Sequence, residues 1–160
     1  MIHKDDFISL IEEHKGLINK ITFLYAYDKE DRKDLQQEIV GQAWSSIGSF
    51  RGKAKFSTWL YRVALNTAIS TLKKSKKQTD VKNRMEGQHQ TSDSTETELL
   101  ETILAVLNPI EKSLVLLLVE GYSQSEVAEI LGITNGNART KIHRIRKKLE
   151  SYGIKELASK

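Results

Sequence analysis

The chain has 160 residues, of which 39% are hydrophobic and 29% charged, a balance that suits a soluble globular protein of one ordinary domain or two very small ones. It contains no cysteine, which excludes disulfides, thiolate metal sites and cysteine nucleophiles. The formal net charge is +4, but acid dominates Glu96 to Glu120 whereas Arg139 to Lys148 carries only basic charge, and a clustered basic face suits a polyanionic partner.

The start, Met-Ile-His-Lys-Asp-Asp, lacks the apolar stretch of a signal peptide, and the longest apolar run, Leu114 to Val119, is too short to span a bilayer. A cytoplasmic protein is the expectation. Strand-forming residues are thin and sit at helical spacing, the only proline is Pro109, and an all-α fold follows.

Phe7, Leu10, Ile11, Leu17, Ile18, Ile21, Leu24 and Tyr25 recur at helical spacing and predict a first helix that Asp5 or Asp6 can cap. Asp28 to Lys33 reads as a charged connector. A second helix is expected from about Asp31 to Ile47, burying Leu35, Ile39, Ala43 and Ile47. The stretch from Gly48 to Lys55 breaks the periodicity with glycines and basic residues and reads as a loop. The third helix, Phe56 to Lys76, is apolar most of the way round (Trp59, Leu60, Val63, Ala64, Leu65, Ile69, Leu72), the pattern of a central helix in a bundle.

Gln78 to Thr95 holds Val81 and Met85 but otherwise no sizeable apolar residue, so it reads as a flexible polar linker. It separates a module at 1–77 from one at 96–160, each near the lower size limit for independent folding. In the second module Leu99, Leu100, Ile103, Leu104 and Leu107 form one apolar segment. Asn108-Pro109 starts the next helix and Gly121 stops it. Ser123-Gln124-Ser125-Glu126 fits a capping box opening a short helix that ends at Gly132. Thr134 or Asn135 caps the last helix, which extends to about Tyr152.

Ser123 to Leu149 therefore has the organisation of a helix-turn-helix. In its second helix Ala138, Ile142, Ile145 and Leu149 share one face. The opposite face carries Gly136, Asn137, Thr140, His143, Arg144 and Lys147, flanked by Arg139, Lys141, Arg146 and Lys148. Residues near such a helix's N-terminus reach base edges in a major groove, and basic flanks meet phosphates, as expected for Lys147 and Lys148. Basic runs are usually solvated faces; here a capping box, a tight turn and an acid-free face coincide, which favours DNA binding.

A second basic surface lies in the first module, where Trp59, Arg62, Asn66, Ser70 and Lys73 form one stripe of the third helix and the preceding loop adds Phe50, Arg51, Lys53, Lys55 and Phe56. Rings beside cations suit unstacked bases of a single strand, but Trp59 and Phe56 suit a core equally well. On the second helix Asp34, Gln37, Glu38, Gly41 and Ser45 form a polar stripe that is, by composition alone, a solvated face. No enzyme signature is present: there is no P-loop, GxGxxG or HExxH, and His3, His14, His89 and His143 share no ligand spacing, so no catalysis, metal or cofactor is expected.

Asp34-Leu35-Gln36-Gln37-Glu38, Ala43-Trp44, Phe50-Arg51-Gly52 and the run from Phe56-Ser57-Thr58-Trp59 to Asn66 resemble conserved region 2 of the extracytoplasmic-function (ECF) sigma factors of bacterial RNA polymerase. Glu120-Gly121-Tyr122-Ser123, Glu126-Val127-Ala128, Leu131-Gly132-Ile133 and the run from Lys141 to Leu149 resemble region 4. The resemblance covers nearly the whole chain outside the linker, with both regions in order. It implies a factor that binds core polymerase and recognises promoter elements. Asp34, Gln37, Glu38 and Gly41 would dock on the β′ coiled coil. The loop and third helix (Phe50, Arg51, Lys53, Lys55, Phe56, Trp59, Arg62, Asn66, Lys73) would recognise and open the −10 element. The second module would pack on the β flap and read the −35 element through Gly136, Asn137, Arg139, Thr140, Lys141, His143, Arg144 and Lys147. An anti-sigma factor is the expected regulatory partner, and no C-terminal sensory domain is expected. The family often has an acid where Ser70 stands, and an aromatic and an acid where Gln124 and Ser125 stand. A stand-alone helix-turn-helix regulator would leave the first module without a role, and a decoy that does not bind DNA would not need the Arg139 to Lys148 cluster.

Overall fold

In a computed structural model of the chain the described residues are 2–76 and 103–153. They fall into two separate units, one within Met1–His89 and the other within Gln90–Lys160. The expected linker at 78–95 lies outside the described residues, as do Leu99 and Leu100.

The first unit opens with α1 (Lys4–Glu13) and α2 (Lys15–Tyr25), where the periodicity predicts a single helix. The break falls at His14, whose backbone leaves the helical region (φ −107°, ψ 19°). Its Nδ1 lies 2.7 Å from the Leu10 carbonyl oxygen and supplies a donor to the end of α1. Neither Asp5 nor Asp6 is the cap. His3 takes that position, and the two aspartates sit in the first turn, where negative charge complements the helix dipole.

Helix α3 (Lys29–Ser46) begins two residues earlier than its apolar pattern suggests, because the Asp28 side chain accepts a hydrogen bond from the Asp31 amide at 2.7 Å. The supposed connector is thus a cap and a first turn. Arg32 fastens this turn to the end of α2: its Nε donates to the Ala26 carbonyl at 3.2 Å and its guanidinium lies 4.9 Å from the Phe23 ring centre. A 3₁₀ turn at Ile47–Ser49 leads into the loop before α4 (Phe56–Lys76).

Helices α2, α3 and α4 pack on one another pairwise, with α1 against α2. Ile18, Ile21, Ile39, Leu60 and Leu65 are fully buried where they meet, each such side chain contributing about 1.5–3 kcal/mol relative to exposure. The α4 helix buries Leu60, Tyr61, Ala64, Leu65, Thr67 and Ala68 and keeps Arg62, Asn66 and Ser70 exposed, as a central helix with one open stripe should.

In the second unit a helical turn at 103–106 precedes α5 (Pro109–Val119), α6 (Gln124–Leu131) and α7 (Asn135–Ser151). Two capping boxes start α5 and α6. The expected one joins Ser123 and Glu126 (3.2 and 2.9 Å), and a second joins Asn108 and Glu111 (both 2.9 Å). Gly132 closes α6 with a left-handed φ of 70°, so the chain turns sharply into α7. Leu114, Leu117, Val127, Ile130, Ala138 and Leu149 form the centre of the core. Among the described residues no helix is long and apolar enough to cross a membrane, and no group of His, Asp or Glu could hold a metal ion.

Candidate nucleic-acid interface

Thr134, rather than Asn135, caps α7 by accepting from the Asn137 amide at 3.1 Å. The Gln124 side-chain amide donates to the Asn135 carbonyl at 3.4 Å, tying the start of α6 to the start of α7. Ala138, Ile142, Ile145 and Leu149 are buried against α5 and α6. That burial turns Gly136, Asn137, Arg139, Thr140, His143, Arg144 and Lys147 outward, and all seven are exposed. Lys141, of the same group, is half-buried at the margin of this face. Among the described residues no carboxylate pairs with Arg139, Lys141, Arg144, Arg146 or Lys147.

The α7 face thus presents a glycine, an amide, a hydroxyl and an imidazole among unpaired cations, the inventory that direct readout needs. The Thr140 hydroxyl donates to the Gly136 carbonyl at 3.0 Å, which leaves its oxygen lone pairs facing out as acceptors. One expectation is corrected. Lys148 is not equivalent to Lys147: its ammonium lies 3.0 Å from Glu111 Oε1 at the start of α5.

The first unit carries its own basic surface. Arg51, Lys53 and Lys55 are exposed on the loop before α4, where Gly52 takes a positive φ of 73°. Arg62, Asn66, Ser70 and Lys73 are exposed along α4. The rings of Phe50, Phe56 and Trp59 pack together at centroid distances of 5.4–5.7 Å, and His14 packs on Phe56 at 5.0 Å. All three rings stay half-exposed. The choice between core and stacking platform therefore dissolves: each ring is held by its neighbours and still shows a surface. Lys73 stands apart, because fourteen residues of helix put it about 21 Å along α4 from Trp59.

On α3, Asp34, Gln37, Glu38, Gly41 and Ser45 are all exposed. A Cβ at Gly41 would meet no atom within 4 Å, so internal packing does not require a glycine there. Beside it runs an open groove of about 590 Å³ lined by Phe7, Ile8, Val40, Gly41 and Trp44 with Lys4 and Lys33 at its sides. Ile8 is 48% exposed and Trp44 44%, the latter resting on Phe7 at 5.0 Å. Sequence reasoning missed Ile8 and Trp44 as surface residues. The signal was available: Trp44 falls off the Leu35, Ile39, Ala43 face that its helix buries.

The family model for Sigma-70 region 2 matches residues 10–78 and that for Sigma-70 region 4 matches residues 97–149. The chain is 30% identical to the ECF RNA polymerase sigma-E factor of Haemophilus influenzae, over 92% of this chain and 87% of that protein. It is also 30% identical to the RNA polymerase sigma factor YlaC of Bacillus subtilis, over 94% and 93% of the two. Among solved structures, the sigma factor RpoE in complex with the anti-sigma factor NepR from Bartonella quintana shares the fold with a TM-score of 0.70 at 18% identity, covering 91% of this chain and 95% of that one. CnrH in complex with the cytosolic domain of CnrY gives 0.67 at 20% identity, covering 94% and 88%. A region 2 bundle followed by a region 4 helix-turn-helix defines a transcription initiation factor that directs RNA polymerase to promoters. The chain belongs to the ECF subfamily of RNA polymerase sigma factors.

Proposed function

We propose that promoter recognition is divided between the two exposed basic surfaces. The α7 face (Gly136, Asn137, Arg139, Thr140, Lys141, His143, Arg144, Lys147) reads the −35 element in the major groove. The loop and α4 (Phe50, Arg51, Lys53, Lys55, Phe56, Trp59, Arg62, Asn66) hold bases of the opened −10 element, with Lys73 steering phosphates farther along. The stripe of Asp34, Gln37, Glu38 and Gly41 docks on the β′ coiled coil, and Ile8 and Trp44 extend that contact into the adjoining groove. The observation that carries this reading is the segregation on α7: four buried apolar residues on one side, and on the other an exposed reading set free of paired acids. The modules divide at 77 and 96, and the protein works in the cytoplasm, where core polymerase and DNA are. An anti-sigma factor holds it when it is not needed; the structural neighbour RpoE, captured with the anti-sigma factor NepR, supports this.

The test is transcription in vitro with core polymerase on a promoter library. A family of transcripts sharing two sequence blocks is expected, and failure to co-elute with core or to give any specific transcript overturns the reading.

A further inference from the structure

The Lys148–Glu111 pair has no part in the surfaces described so far. Glu111 Oε1 receives two hydrogen bonds, from the Asn108 amide at 2.9 Å as the second arm of the α5 capping box and from Lys148 Nζ at 3.0 Å. The carboxylate is well shielded, with 16% of its side chain exposed against 37% for Lys148. The contact spans 37 positions of sequence and fastens the C-terminal part of α7 to the first turn of α5. Elsewhere α7 meets α5 and α6 mainly through apolar side chains, which resist separation but allow a helix to roll or swing, and its start is tied to α6 only by the 3.4 Å contact of Gln124 with the Asn135 carbonyl. An ion pair with a shared capping oxygen has a direction and a length, and so fixes an angle.

We infer that the Glu111–Lys148 clasp is a positioning device for −35 recognition: it sets the angle at which α7 enters the groove, and Lys148 is not a phosphate contact. The inference rests on the reading of α7 as the recognition helix. Leverage makes the clasp matter. Twelve residues separate Lys148 from Gly136, about 18 Å of helix. A swing of about 10° at the clasp moves the reading end by roughly 3 Å, the whole length of a base-edge hydrogen bond. Lys147, one residue earlier and about 100° round the helix, has no such restraint and remains available to phosphate.

Charge gives the two roles opposite signatures. A cation that neutralises a phosphate releases counterions, and its loss lowers the salt slope by roughly one. A cation already paired within the protein has little to release. Freeing Lys148 from its acid would strengthen DNA binding if it were a phosphate ligand, and would weaken base discrimination if it is a positioner.

The experiment uses the full chain assembled with core polymerase on a promoter selected by the wild type and on single-base variants of its −35 block. The variants are Glu111→Gln, which keeps an acceptor for the capping box, Lys148→Met, Lys148→Arg and Lys147→Met. Glu111→Gln and Lys148→Met are expected to reduce −35 discrimination by roughly two- to fivefold, the scale of a partly exposed pair, with the salt slope unchanged. Lys148→Arg should keep discrimination, and Lys147→Met should lower the slope without changing discrimination. Thermal unfolding of each variant separates helix placement from loss of fold: discrimination lost while the unfolding midpoint stays near that of the wild type is loss of placement. A fall of about one in the slope for Lys148→Met, or tighter binding by Glu111→Gln, overturns the clasp. If the wild type selects no −35 block at all, it is the reading of α7 that fails.

Discussion

On the proposed reading of α7, a single internal bond shapes what Thr140 can read. With its hydrogen given to the Gly136 carbonyl at 3.0 Å, the hydroxyl offers lone pairs to an incoming base amino group, while its methyl can meet a thymine methyl. Thr140→Val keeps the shape and removes the lone pairs. It should weaken preference at one base position by about 1 kcal/mol, the scale of one hydrogen bond, whereas Thr140→Ser should keep it; binding to a −35 library measures both. Arg139 and Arg144 are exposed with no paired acid among the described residues, so each can reach a guanine edge or a phosphate. A base-reading arginine changed to alanine should cost about 1–3 kcal/mol at one position. A phosphate-binding one should weaken all sequences alike and lower the salt slope by about one. If Arg139→Ala, Thr140→Ala and Arg144→Ala each leave affinity and preference untouched, α7 is not the reading head.

At the scale of elements, the helix-turn-helix depends on two local devices with no apolar content. Ser123→Ala removes one arm of the α6 capping box and should lower stability by about 1 kcal/mol. Gly132→Ala forces a Cβ into the left-handed region and should lower it by about 1–2 kcal/mol; urea denaturation followed by circular dichroism reads both. The loop before α4 is held differently, by rings. Trp59→Ala strips Phe50 and Phe56 of a partner, so promoter opening should fail while core binding persists, and stacking of about 1–3 kcal/mol per base is the scale of the loss. Arg62→Ala combined with Asn66→Ala touches only exposed positions and should give the same opening defect without destabilising the bundle. A pre-melted template should relieve the double variant more than Trp59→Ala, because only the tryptophan also shapes the loop.

At the scale of the molecule, both tryptophans, Trp44 and Trp59, belong to the first unit, so their fluorescence reports that unit alone, while circular dichroism reports both. Gly132→Ala should therefore shift part of the dichroism transition toward lower urea and leave the fluorescence midpoint where it was. A fluorescence midpoint that moves with Gly132→Ala would mean that the two units unfold as one.

The sequence by itself determined most of the helices, the α6 capping box and the face of α7. These are local matters: a 3.6-residue period, Ser123 with Glu126 three residues on, and a glycine where the backbone must turn left-handed all act over a few residues. Ala138, Ile142, Ile145 and Leu149 left one possible outward face, and it carries the expected reading residues. Even the Asn108–Glu111 capping box was written in the spacing. What only the tertiary structure decided is what depends on partners distant in the chain. The run from Phe7 to Tyr25 looks continuous, and its break at His14 lies where that ring meets Phe56 forty-two positions later. Trp44 lies off the face that α3 buries, but only the packing of α1 shows that its indole rests on Phe7 beside the exposed Ile8. The sequence puts Lys147 on the outward face and Lys148 at its flank and gives both the same expected role, and only packing against α5 gives Lys148 an acid. Periodicity tells a helix which face to bury, but the other helices decide what that face meets and which exposed charge finds a counter-charge.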